Sequence, residues 1–183
     1  PSLLADPAWR AVAAVFLFNG LLFGAWASRV PAFKLGFDLD PGTLGLLLLA
    51  LAGGAICSFP LAGWLSERWG ADRLSLRCAL GYAPALMLIA FMPTPLWLGA
   101  ALFVFGAFHG AMDVAMNGWA AQVERRMGRV TMSIFHALFS LGAGIGAGSG
   151  FFAAGAGLAP DWHFVAVAAI AAGVALPVIL RGM

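Results

Sequence analysis

The chain has 183 residues, of which 62% are hydrophobic and 10% charged, and its formal net charge is +2. A soluble domain carries about 25% charged residues, so these proportions exclude one and predict an integral membrane protein. The small net charge argues against nucleic-acid binding. Cys57 and Cys78 fall in apolar runs without metal-ligand spacing and read as small core residues, with no metal site and no cofactor expected.

The expected fold is all-α and polytopic. Apolar runs recur six times, at about 9–28, 42–65, 74–93, 96–118, 131–154 and 162–180. Each is long enough to cross a hydrocarbon core of ~30 Å at 1.5 Å per residue. Strand alternation is absent, which sets aside a β-barrel. With the N-terminus in the cytoplasm, Arg10, Arg68, Arg73, Arg77, Arg125, Arg126, Arg129 and Arg181 lie inside and only Arg29 and Lys34 outside. That distribution obeys the positive-inside rule and puts both termini in the cytoplasm. Trp9, Trp26, Trp64, Trp69, Trp97, Trp119 and Trp162 stand at span ends or in loops, as an interfacial belt would have them. The chain opens on Pro1 without a signal-peptide pattern and is expected to be a fragment of a longer protein.

The first span carries Asn19 midway, suited either to bonding across helices or to lining a cavity, and ends in Trp26-Ala27-Ser28-Arg29. Residues 32–41, with Lys34, Asp38 and Asp40, read as a solvated outer loop. The second span leads into the inner segment Gly63-Trp-Leu-Ser-Glu67-Arg68-Trp-Gly70-Ala-Asp72-Arg73. Its two glycines permit a tight turn, and its charges can bridge helix ends.

This segment resembles the Gly-x-x-x-Asp-Arg-x-Gly-Arg-Arg motif between helices 2 and 3 of the major facilitator superfamily. Gly63, Arg68 and Gly70 match, Glu67 stands in place of Asp, and Arg73 falls one position late. The resemblance implies a cytoplasmic gate latch here, not a substrate site. It also implies a 3+3 inverted-repeat bundle over residues 1–183, one half of a twelve-helix carrier.

The third span is bland apart from Arg77, placed to snorkel toward the inner face. The fourth holds the most telling residue. Among ten basic and eight acidic side chains, Asp113 alone sits well inside an apolar run. A carboxylate at that depth costs several kcal/mol unless paired, hydrated or protonated. His109, Asp113 and Asn117 recur every fourth residue and share one stripe, which suits either a helix–helix clamp or a solute and proton pathway. The span ends in Glu124-Arg125-Arg126 and Arg129; by the resemblance, Glu124 would pair with Arg68 in the outward-facing state.

The fifth span begins Thr131-Met-Ser133-Ile-Phe-His136 and continues through Ser140 into Gly142, Gly144, Gly146, Gly148 and Gly150. No strand precedes these glycines and no lysine follows, so they read as a close-packing surface, not a phosphate loop. The span lacks the Gly-Pro element of the superfamily's antiporters, which leans away from drug–proton antiport. His136 and Ser140 share a face that can join the cavity. The sixth span opens on Asp161-Trp162-His163, read as interfacial. Phe23-Gly-Ala-Trp26 and Phe105-Gly-Ala-Phe108 form a faint echo between spans one and four.

The stretches Asp113-Val-Ala-Met-Asn117 and Met132-Ser-Ile-Phe-His136 also resemble a bacterial inner-membrane subgroup related to fucose-permease-like carriers. The expected protein is therefore a secondary transporter and not an enzyme. Its partners would be a small polar solute, protons, the lipid bilayer and a C-terminal six-helix half. Asp113 would carry the proton, His109 would tune or relay it, and Asn117, Asn19 and Trp26 would meet the solute, with His136 beside them. Gly63, Glu67, Arg68, Gly70, Arg73, Glu124 and Arg129 would form the cytoplasmic gate. Two alternatives are a non-transporting six-helix scaffold and a rhomboid-like intramembrane protease. The latter would have to use Ser149 and His163, whose placement in the sequence does not promise hydrogen-bond reach.

Overall fold

A computed structural model describes residues 2–183, and among them it is helical throughout, without strands. A 3-10 turn at Leu3–Ala5 precedes α1 (Pro7–Ser28), α2 (Val30–Gly36), α3 (Pro41–Trp69), α4 (Ala71–Ala90), α5 (Pro95–Met127), α6 (Met132–Gly155) and α7 (Pro160–Arg181). With α1 and α2 taken together, six helical units are long and apolar enough to cross a membrane.

Short sequence signals start these helices. Asp6, Asp40 and Thr94 each place a side-chain oxygen on free N–H groups of the following turn, and each is followed by a proline opening the helix. At Asp40 the Thr43 hydroxyl and the Thr43 and Gly42 N–H groups hold the carboxyl below its usual range. Pro31 has no N–H with which to extend the ladder of α1. The chain therefore breaks at Arg29 and restarts as α2 inside the segment expected to be a loop. Gly70, at φ +93°, makes the turn between α3 and α4, whereas Gly63 lies inside α3 and turns nothing. The polar end of α5 continues as helix to Met127 and stops at Gly128 in the left-handed conformation.

Two close helix pairs dominate the packing: α1 lies along α6, and α3 lies along α5. Glycine makes both possible. A Cβ at Gly24 would strike the Ala143 carbonyl on α6, and one at Gly106 would strike the Leu51 carbonyl on α3. These two glycines are the ones shared by the faint Phe-Gly-Ala echo, so the same device recurs in the first and fourth spans. On α6, Gly142, Gly146 and Gly150 face α1, while Gly144 and Gly148 face open space. Only the first of the two expected small-residue rows is therefore used for packing within the chain. The core holds Phe16, Tyr82, Phe105, Phe135 and Phe164, all fully buried.

Two readings of surface residues change. Trp9, Trp26 and Trp119 are buried within the bundle, leaving Trp64, Trp69, Trp97 and Trp162 exposed for an interfacial role. Cys57 is exposed and only Cys78 is a core residue.

Candidate functional site

The stripe on α5 is divided by its surroundings. His109 turns inward. Its Nδ1 lies 2.8 Å from Asn19 Oδ1 on α1 and 3.0 Å from the Tyr82 hydroxyl on α4. Its ring stacks on Phe23 at a centroid distance of 4.8 Å. Asn19 is fully buried and turns its Nδ2 toward Met116 Sδ at 3.5 Å. Three helices thus meet at one imidazole edge. Tyr82 is the member that sequence reasoning missed.

One turn along α5, Asp113 is exposed in the middle of an apolar span. The Asn117 amide turns back onto it, donating to the Asp113 backbone carbonyl at 2.8 Å and to its carboxylate at 3.2 Å. His136 on α6 lies within electrostatic reach of that carboxylate. His136 itself is exposed, packs edge-on against Phe16, and directs Nδ1 to the Met132 carbonyl at 3.0 Å. Ser140, a turn further, donates to the His136 carbonyl. The structure therefore bonds Asn117 to Asp113 and His109 to Asn19, with His136 across on α6 bonded to its own helix and not to Asp113. Trp26 belongs to the aromatic wall with Phe23 and Phe105 and is 7% exposed.

The end of the bundle that carries Glu67, Arg68 and Glu124 is wired differently from the superfamily pattern. Glu124 does not pair with Arg68. Its carboxylate accepts from the Thr131 and Met132 N–H groups, capping the N-terminus of α6. The guanidinium of Arg68 lies over the Trp64 ring at 5.3 Å, and that of Arg77 over Trp69 at 4.0 Å. Glu67 shares the last turn of α3 with Arg68, and Arg73 stands in the first turn of α4, across Gly70. Arg129 follows the Gly128 stop of α5. An ion pair that the sequence reading did not anticipate closes this end: Arg126 meets both carboxylate oxygens of Asp6 at 2.6 Å.

At the end of the bundle that holds the turn between α6 and α7, His163 is buried, not interfacial, and its Nε2 sits 3.0 Å from Ser149 Oγ. The two residues judged unpromising for contact are thus bonded, because α6 and α7 turn back on one another just beyond Ser149. Beside them Arg29 is 3% exposed and donates to the carbonyls of Leu158 at 2.5 Å and Gly150 at 3.4 Å. A cation near the C-terminal end of a helix is favourably placed.

Six bilayer-length helices around a polar stripe are the build of a polytopic helical membrane protein. The family profile described as Major Facilitator Superfamily matches residues 11–182, and the chain belongs to that family. It is 44% identical over 172 residues to the uncharacterized transporter y4wD of Sinorhizobium fredii, covering 94% of this chain and 46% of that one. It is 43% identical over 133 residues to an uncharacterized MFS-type transporter of Yersinia pestis, covering 73% of this chain and 35% of the relative. Membrane protein MosC of Rhizobium meliloti is 38% identical over 156 residues, or 85% and 37% of the two chains. The chain therefore spans less than half the length of these curated relatives.

Proposed function

We propose that these helices form the N-terminal half of a proton-coupled secondary transporter for a small polar solute, working by alternating access. Its place would be the bacterial inner membrane with both termini cytoplasmic. The observation that carries the reading is Asp113, an exposed carboxylate at mid-span bordered by Asn117 and His136. Such a group is costly against lipid and economical against a wet cavity. The greater length of the relatives supports a second six-helix half across that cavity.

In this reading Asp113 takes a proton from the outside while the cavity faces out. Neutralising the carboxylate lowers the cost of closing the cavity around it, which couples proton movement to solute movement. Asn117 orients the carboxylate, His136 supplies a neighbouring titratable group, and Trp26 with Phe23 forms an apolar wall. Asp113→Asn in the full-length protein is expected to abolish uphill uptake while sparing solute exchange. Unchanged uphill uptake would remove Asp113 from the coupling mechanism.

The Ser149–His163 contact raises a serine-hydrolase reading, and its chemistry points the other way. Ser149 Oγ is 2.6 Å from the Gly146 carbonyl and spends its proton there. The imidazole Nε2 must then donate to the serine, the reverse of a general base. Among the described residues none bonds His163 Nδ1, so none of them orients the ring as the third member of a triad would. A fluorophosphonate serine probe is expected to leave Ser149 unlabelled.

A further inference from the structure

We infer that the outward face of α4 holds an anionic phospholipid, with Arg73 and Arg77 on the headgroup phosphate and an acyl chain laid along Leu80, Pro84, Leu88 and Phe91. This face is turned away from the proposed solute path. From the transport reading the inference takes only that Asp113 faces the second half.

Those residues form one stripe. At 100° per residue they fall within about 80° of one another around α4, and all of them are exposed. The opposite stripe, with Leu74, Cys78, Tyr82, Leu86 and Ile89, is buried against the bundle. Helix α5 stands between α4 and the carboxylate of Asp113. Phe108 and Gly118 each lie five residues from Asp113, which turns them about 140° away from it around α5. They are the α5 residues that close on Gly81 and Ala71 of α4. The exposed stripe therefore looks away from the side of α5 that carries Asp113. On a helix long and apolar enough to cross a membrane, that outward face meets lipid.

An apolar stripe alone would accept any lipid, and the two arginines select one. Arg77 lies in the second turn of α4, about 9 Å along the axis from Ala71. Its guanidinium lies over the exposed ring of Trp69, the last residue of α3, at 4.0 Å. Stacking on the indole fixes the guanidinium plane and leaves its N–H edge free to donate. Among the described residues no carboxylate forms an ion pair with Arg73 or Arg77. Asp72, next to Arg73 in the chain, holds its carboxylate beside Gly70 instead. Two like charges four residues apart on one helix face repel. A phosphate between them turns that repulsion into attraction and accepts charge-assisted hydrogen bonds from both. A zwitterionic headgroup would bring an ammonium group to the same two cations, so the site favours a lipid of net negative charge.

The test uses the full-length protein, delipidated in dodecyl maltoside. Thermal unfolding is followed against dioleoylphosphatidylglycerol, dioleoylphosphatidylcholine and inorganic phosphate. The phosphatidylglycerol is expected to stabilise saturably, the phosphatidylcholine with clearly lower affinity, and phosphate alone not at all. Arg73→Gln and Arg77→Gln should each weaken the affinity for phosphatidylglycerol about fivefold, the worth of one basic side chain beside an anionic lipid. Arg125→Gln removes an exposed cation of α5 and should leave that affinity unchanged. A second readout places a fluorophore on Leu88→Cys in a Cys57→Ser background, where the remaining Cys78 is buried. In proteoliposomes its emission should be quenched by nitroxide-bearing lipid. Equal stabilisation by the two lipids, stabilisation by phosphate alone, or no stabilisation by phosphatidylglycerol overturns the inference. So does an affinity indifferent to Arg77→Gln or lowered equally by Arg125→Gln. An unquenched label overturns it as well, because the stripe is then covered by protein. Neither readout involves transport, so failure of proton coupling through Asp113 leaves both results standing, and uphill uptake judges that coupling separately.

Discussion

His109 Nδ1 on α5 sits 2.8 Å from Asn19 Oδ1 on α1, a side chain with no solvent exposure at all. With the Tyr82 hydroxyl on the same nitrogen, this contact ties three helices at one point. Asn19→Leu should destabilise the protein by about 1–3 kcal/mol, because the imidazole N–H loses its main acceptor in an apolar setting. Tyr82→Phe should cost about 1 kcal/mol or less, the worth of the secondary contact. Chemical unfolding of both variants and of the double variant checks this, with non-additive losses expected from one shared network.

The glycines of α1 and α6 give a sharper contrast. Gly24→Val should destabilise by about 1–3 kcal/mol or more, since the new side chain has only the Ala143 backbone to displace. Gly144→Ala points into open space and should be neutral or stabilise by up to about 1 kcal/mol through helix propensity. Melting temperatures of the two purified variants should move in opposite directions or differ in size by several degrees.

Glu124 is predicted to act on α6 before it acts on any gate. Glu124→Ala should cost about 1 kcal/mol through the loss of a helix cap, while Glu124→Gln keeps an accepting oxygen and most of the stability. Hydrogen exchange at the Thr131 and Met132 amides is the direct readout, with faster exchange expected in the alanine variant alone. Arg68→Ala should leave those amides unchanged, because Arg68 stacks on Trp64 instead.

Asp6 sets an acid limit at the end of the bundle where it meets Arg126. Partial burial pushes its carboxyl up, but the Trp9 N–H and the Arg126 guanidinium outweigh it and hold the group below its ordinary 3.8. A carboxyl lowered in the folded state contributes stability that is complete above 3.8 and lost as pH falls through the lower folded value. Asp6→Asn should therefore remove part of the loss of stability below about pH 4 and leave the rest of the pH profile parallel to wild type. Thermal melts from pH 3 to pH 7 decide it.

Much of this arrangement was legible in the chain because it is local. Apolar runs of bilayer length mark the helices, and residues four apart mark the stripe of His109, Asp113 and Asn117. Tyr82 was not legible: it stands alone in an apolar run, and its partner His109 lies 27 residues away in sequence on another helix. The Asp6–Arg126 pair spans 120 residues and equally leaves no local pattern. Asp6-Pro7 and Asp40-Pro41 did carry a signal, an N-cap followed by proline, that would have placed the starts of α1 and α3. The bond from the Thr131 N–H to Glu124 was not legible, because a motif describes residue types, whereas the six residues between Glu124 and Thr131 fold that carboxylate onto the start of the next helix. His163 looked interfacial beside Asp161 and Trp162, yet a helix turns successive side chains by 100°, and His163 alone of the three faces inward.

The central claim is that Asp113 carries a proton in step with the solute. Its most direct test is lumenal acidification in proteoliposomes of the full-length protein loaded with a pH dye, after external addition of a solute that stabilises the protein. Wild type is predicted to acidify the lumen on solute addition, and Asp113→Asn is predicted to bind the solute but leave lumenal pH unchanged. Equal acidification by the two proteins, or solute entry in wild type without any change in lumenal pH, would contradict the account.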